Sequence, residues 1–147
     1  MTKWVPYIGH SPIINETATG TSRDFPEMAN YDKALIFTTV TAMGGTNQTL
    51  NVNVQYKDPT TFGATAQYIN VQSRLVGINA NGTMTTGSYA LGTIDQVTNA
   101  TALPWTEARA ITASEIMSGT MRFQWVIGGT GGPNFTFGIL LLAKTEE

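Results

Sequence analysis

The chain has 147 residues, ten acidic and eight basic, for a net charge of −2, and so lacks the basic excess that a phosphate-neutralising nucleic-acid binder needs. Charged residues make up only 12% against 41% hydrophobic, yet no apolar run approaches the roughly eighteen residues of a membrane span. The absence of cysteine excludes disulfides and thiolate metal sites.

Threonine fills the place of the missing charges, with twenty-four copies beside fifteen glycines and ten asparagines. Threonine is β-branched and suits the exposed face of a strand, while Gly and Asn suit turns. Together they predict an all-β chain with one domain's worth of core.

Residues 1–31 read as an extended N-terminal arm. Pro6, Pro12 and Pro26 bias their predecessors toward extended geometry, and no periodic pattern persists. Pro6, Gly9, His10 and Pro12 also interrupt any signal-peptide core. The arm is nevertheless rich in large apolar groups: Trp4, Val5, Tyr7, Ile8, Ile13, Ile14 and Phe25. Solvated tails are poor in such residues. Either they cover the domain's own sheet, or they dock on a neighbouring subunit or a larger shell. The expectation is the second, with Trp4, Tyr7, Ile8, Ile13 and Ile14 as contact anchors.

Residues 32–147 read as a β-sandwich or jelly-roll-like domain of short antiparallel strands. Residues 34–42 are apolar on both faces at their start, as expected of a strand covered twice. Gly44, Gly45, Thr46 and Asn47 then turn the chain. Leu50, Val52, Val54 and Tyr56 alternate with Asn51, Asn53 and Gln55, and residues 58–61 form a turn. Ile69, Val71 and Leu75 continue the alternation. Asn81-Gly82 signals a hairpin within residues 79–82. A strand over 88–94, a loop from 95 with a short strand, and a strand from Glu107 to Thr112 follow. Thr112 and Glu115 fit a capping box holding one helical turn.

The end of the chain is the strongest strand signal. Met121, Phe123, Trp125 and Ile127 share one face, and so do Phe135, Phe137, Ile139 and Leu141. Gly128, Gly129, Gly131, Gly132 and Pro133 lie between, which predicts a hairpin. The expected core is Leu35, Phe37, Leu50, Val52, Val54, Ile69, Val71, Phe123, Trp125, Phe135, Phe137 and Ile139.

Catalytic chemistry is quiet. The single histidine, His10, sits in the proline-broken arm and reads as a packing or surface residue. Glu16, Asp24, Glu27 and Asp32 precede the sheet, and Asp58, Asp95, Glu107 and Glu115 fall at turns or strand ends. A glycosidase needs two carboxylates facing each other across roughly 5–9.5 Å, which spacing along a chain does not establish. No EF-hand, histidine-rich or nucleophile-elbow pattern occurs. The glycines at 128–132 lack the Lys-Ser/Thr and helix of a phosphate loop. Asn-x-Thr sequons at Asn15, Asn47, Asn81, Asn99 and Asn134 follow from Asn/Thr alternation on strand faces. The expectation is a non-enzyme with no cofactor and no metal. Trp4, Tyr7, Tyr31 and Trp105 suit either sugar stacking or a protein interface.

Two stretches carry a resemblance. One is Leu35-Ile36-Phe37, a Gly-Gly-Thr turn, then Leu50-Asn51-Val52-Asn53-Val54-Gln55-Tyr56-Lys57-Asp58. The other runs from Met121-Arg122-Phe123-Gln124-Trp125 through Gly128-Gly129-Thr130 to Pro133-Asn134-Phe135-Thr136-Phe137-Gly138. Together they resemble the small all-β structural proteins of tailed-bacteriophage heads, including capsid decoration (cement or auxiliary head) proteins. The likeness covers residues 34–143 and leaves the arm outside. It departs at Pro59-Thr60-Thr61-Phe62, where a Gly-containing turn before an aromatic is expected. The resemblance implies a virion protein made in the host cytoplasm, bound to the major capsid protein on the capsid exterior as a homotrimer that reinforces the shell. The alternatives are a carbohydrate- or receptor-binding β-module of a phage tail or fibre and, more distantly, a small hydrolase.

Overall fold

The computed structural model describes residues 3–70, 76–78, 84–85, 105–112 and 119–145, with backbone alone at 69–70, 76–78, 84–85 and 105–112. In chain order the strands are β1 (Val5–His10), β2 (Asn15–Glu16), β3 (Gly20–Thr21), β4 (Lys33–Lys57), β5 (Tyr68–Asn70), β6 (Val76–Ile78), β7 (Met84–Thr85), β8 (Trp105–Thr112) and β9 (Met121–Lys144). Two short 3-10 turns, Pro26–Asn30 and Gly63–Thr65, are the helical elements among the described residues. The described residues are therefore mostly β with almost no helix, and their strands form one open antiparallel sheet.

β4 and β9 form its spine. They pair antiparallel from Lys33↔Lys144 to Val40↔Phe137, and again from Leu50↔Ile127 to Tyr56↔Met121. Between those runs the register shifts, with Gly44 opposite Asn134 and Thr46 opposite Thr130. Gly45, Asn47, Gly129, Gly131 and Gly132 take positive φ there, a backbone region open to glycine and tolerated by asparagine. Each stretch reads alone as a hairpin turn. In the structure they are two sides of one corner in a continuous ribbon. The expected hairpin of 121–127 on 135–143 is thus corrected: both arms pair with β4 and neither pairs with the other. The same finding replaces several short strands by two of 25 and 24 residues.

The period of two holds on both sides of the corner. Ile36, Val40, Leu50, Val52, Val54, Phe123, Phe135, Phe137, Ile139 and Leu141 are buried to 1% exposure or less. The Trp125 and Phe137 ring centroids lie 5.6 Å apart across the corner, so both halves of the ribbon feed one core. Each such side chain contributes about 1.5–3 kcal/mol on burial. Leu35 and Phe37 depart from the expected core. Ala34 and Ile36 take the inward face instead, and Leu35 and Phe37 are half-buried on the other. A strand apolar on both sides gives no parity from which to choose. Ile69 pairs with Tyr56 in backbone register.

β8 follows the expected strand ending at Thr112 and pairs with the first half of β4. Residues 58–61 form the expected turn, with Asp58 Oδ1 accepting bonds from Thr60 N at 2.9 Å and Thr60 Oγ1 at 2.7 Å. Those two bonds hold the Asp58 carboxyl below its ordinary range. The 79–82 turn, the 88–94 strand, the loop from 95, Val71, Leu75 and the helical turn after Thr112 lie outside the described residues.

The N-terminal segment differs most from expectation. Instead of leaving the domain, it runs antiparallel along the free edge of β9. Val5 pairs with Ala143 and His10 with Ile139, Asn15 with Thr136, Gly20 with Trp125, and Phe25 bridges Met121. Side chains fill the gaps between these short strands: Thr19 Oγ1 accepts from Ile127 N at 3.0 Å, and Ser22 Oγ from Phe123 N at 2.8 Å. The physical reason is the edge. A 24-residue strand without this cover would leave a row of backbone N–H and C=O groups unpaired. Phe25 and Met28, both 0% exposed, then close the core.

Candidate functional site

The five expected anchors divide by strand parity. On β1, Val5 and Tyr7 sit opposite Ala143 and Leu141, whose side chains face the core, while Pro6 and Ile8 sit opposite Leu142 and Leu140 on the other face. Tyr7 accordingly turns inward. Its ring lies edge-on to Phe25 at 6.2 Å, and its hydroxyl is 2.7 Å from that of Tyr31. That hydrogen bond, followed by burial, pushes the Tyr7 phenol up to about 12. Tyr7 is an internal clamp and not an outward anchor.

The other four face solvent, with exposures of 42% for Trp4, 59% for Ile8, 87% for Ile13 and 47% for Ile14. Trp4 carries the Lys144 ammonium 5.3 Å from its ring centroid, within cation–π range. Ile13 and Ile14 crown the loop between β1 and β2, whose Pro12 packs over Gly138.

Ile8 joins a surface that extends over the sheet, and Pro12 of the loop between β1 and β2 borders it. From β1 across β9 to β4, the register places Pro6, Leu142 and Leu35 in one row and Ile8, Leu140 and Phe37 in the next. The Leu and Phe side chains of both rows are half-buried. A groove of about 390 Å³ runs here, walled by Ile8, Pro12, Phe37 and Leu140. The far half of the ribbon has the opposite character. There Arg122 Nε donates to Gln55 Oε1 at 2.8 Å and Gln55 Nε2 donates to Gln124 Oε1 at 3.2 Å. The face that is apolar in the first half of the ribbon thus carries polar side chains in the second, where Asn53 and Gln55 are buried and Val126 is exposed. Leu35, Phe37, Leu140 and Leu142 were not expected in this surface. The signal for them was the doubly apolar runs at 34–37 and 139–142.

The polar candidates serve as local ties. Arg23 holds Glu27 through two bonds of 3.1 and 2.8 Å, which keep the Glu27 carboxyl below its usual range. Both carboxylate oxygens of Asp24 accept from the Tyr68 hydroxyl, at 2.8 and 2.7 Å, and this bond raises the Tyr68 phenol. The Arg122 guanidinium lies 3.3 Å from the Tyr68 ring centroid. His10 is buried, stacked on Phe137 at 4.1 Å with planes 10° apart. Among the described residues no three or more His, Asp or Glu gather in a metal-holding group, and no helix is long and apolar enough to cross a membrane. Asp95, Glu115 and the side chains of Trp105 and Glu107 lie outside the description. Comparison with models of protein families, with curated proteins and with solved structures finds no match.

Proposed function

We propose that this chain is a structural virion protein that binds the outer surface of a phage capsid, through the major capsid protein, and stabilises it as a homotrimer. The observation that carries the reading is the outward apolar row of Ile8, Leu140 and Phe37 next to Leu35 and Leu142, with Trp4, Ile13 and Ile14 exposed elsewhere on the same N-terminal segment. Exposed apolar groups gathered on one face mark interaction sites more often than scattered ones do. A surface with so few charges also loses little to desolvation when a partner covers it. The likeness of residues 34–58 and 121–138 to phage head decoration proteins supplies the identity of the partner. The same reading takes the bent ribbon as a β-sandwich whose halves face each other; Phe123 and Ile139, from opposite halves, both flank Gly9. The rival reading, a carbohydrate- or receptor-binding module of a tail or fibre, draws on the exposed ring of Trp4.

Purified protein mixed with capsids that lack it should co-sediment with them, and sedimentation equilibrium should show a trimer. Specific binding on a glycan array, with no co-sedimentation, would favour the rival.

A further inference from the structure

Two strands flank the same half of the ribbon, β1 along β9 and β8 along β4. Among the described residues neither has a strand on its second side. Their edges differ. β1 carries Pro6 and a register shift between Ile8 and His10, both devices that discourage a further strand. β8 runs Trp-Thr-Glu-Ala-Arg-Ala-Ile-Thr, with neither proline nor glycine and with no register shift against β4. It thus offers a regular row of backbone donors and acceptors to an added strand. Its register fixes the faces. Trp105, Glu107, Arg109 and Ile111 stand opposite Val40, Thr38, Ile36 and Ala34, on the core-facing side of β4. Thr106, Ala108 and Ala110 stand opposite Thr39, Phe37 and Leu35, on the outer side. Glu107 and Arg109 therefore share a face, one on either side of Ala108.

We propose that β8 is a seam joining two copies of this chain, their β8 strands antiparallel about a two-fold axis at Ala108. The sequence selects that register. Residues directly opposite in an antiparallel pair share a face. A shift by one residue sets the outer face of one copy beside the core-facing side of the other. An axis at residue 107 or 109 keeps the faces but sets two glutamates or two arginines opposite each other, a repulsive pair. With the axis at Ala108, Glu107 meets the partner's Arg109 and Arg109 meets the partner's Glu107, each an attractive cross-strand pair. Trp105 then meets the partner's Ile111, an aromatic opposite a β-branched residue. Such a seam uses one surface twice and extends the sheet sideways. The outward rows holding Leu35, Phe37, Leu140 and Leu142 in the two copies then lie on the same side of a sheet of doubled width. The inference goes beyond the capsid reading and does not rest on it, because the seam leaves those outward rows uncovered.

An edge seam is small beside the roughly 800 Å² per partner of a standard interface, so covalent trapping reads it better than sedimentation of dilute protein. The chain has no cysteine, and single cysteines placed on β8 report its register directly. In a glutathione redox buffer Ala108→Cys should form a disulfide-linked pair at least ~10-fold more readily than Thr106→Cys. Cα atoms directly opposite each other lie within disulfide reach, whereas the two copies of residue 106 are offset along the seam beyond it. Thr106→Cys mixed with Ala110→Cys should give a linked pair holding one of each. Unfolded or randomly colliding chains link with no such preference. Adding Glu107→Arg to Ala108→Cys should lower the linked yield several-fold by setting arginines against each other, and adding Arg109→Glu as well should restore it. Equal linking by Ala108→Cys and Thr106→Cys, whether high or absent, would overturn the seam. So would a charge-exchanged chain that links as weakly as the one carrying Glu107→Arg without Arg109→Glu.

Discussion

At the scale of single residues, close approach and proton affinity make the most direct predictions. A Cβ on Gly9 would lie 2.8 Å from both Ile139 Cγ2 and Phe123 Cδ2. Gly9 does not take a positive φ, so the effect of Gly9→Ala is one of packing and not of backbone strain. Overpacking of this kind costs about 1–3 kcal/mol, which a shift in the urea midpoint at unchanged m-value would record. Tyr7 offers a pH test. Its phenol is pushed up to about 12, above the ordinary value near 10, so the folded state favours the protonated form. That contribution is fully present below about pH 10 and is lost as pH rises through about 12. In an absorbance titration of the five tyrosines, Tyr7→Phe should remove a late-ionising component and leave the rise due to Tyr68. If the titration of the variant lacks only an ordinary tyrosine, the Tyr7–Tyr31 bond is not formed in solution.

At the scale of elements, β9 organises the fold, and the N-terminal segment is its edge partner. Deleting residues 2–30 would strip that edge from Val5↔Ala143 to Gly20↔Trp125 and remove Phe25 and Met28 from the core. Loss of a buried Phe or Met side chain costs about 2–5 kcal/mol, and two such losses approach the whole stability of a typical domain, about 5–15 kcal/mol. The truncated chain should be insoluble or unfolded by circular dichroism; a cooperatively folded, soluble product would show that the segment is dispensable. The strand content and inward faces of β4 and β9 were legible in the sequence, because alternation reports a face directly. Pairing partners were not. Gly44–Asn47 and Gly128–Pro133 each look like a reversal, and only their mutual register reveals a shared corner. The segment along β9 was hidden for a related reason. It makes contact through two- to six-residue strands, too short and proline-broken for a period to show.

At the scale of the whole molecule, the two outer faces of one ribbon differ in chemistry, and that difference underlies the functional proposal. The apolar character of the anchors was legible in the composition of the arm. Which of them point outward was not, because Tyr7 and Ile8 are neighbours whose roles are separated only by strand parity. The most direct test is a capsid-binding isotherm of the full-length protein beside a triple variant, Ile8→Ser, Ile13→Ser and Ile14→Ser. All three side chains are exposed, so the variant should keep the fold and thermal midpoint of the unaltered chain. Each isoleucine fully covered by a partner contributes about 1.5–3 kcal/mol, so even two engaged side chains correspond to a loss on the order of a hundredfold in affinity. The account predicts saturable binding by the unaltered protein and at least that loss in the variant; equal binding by both, or none by either, would contradict it.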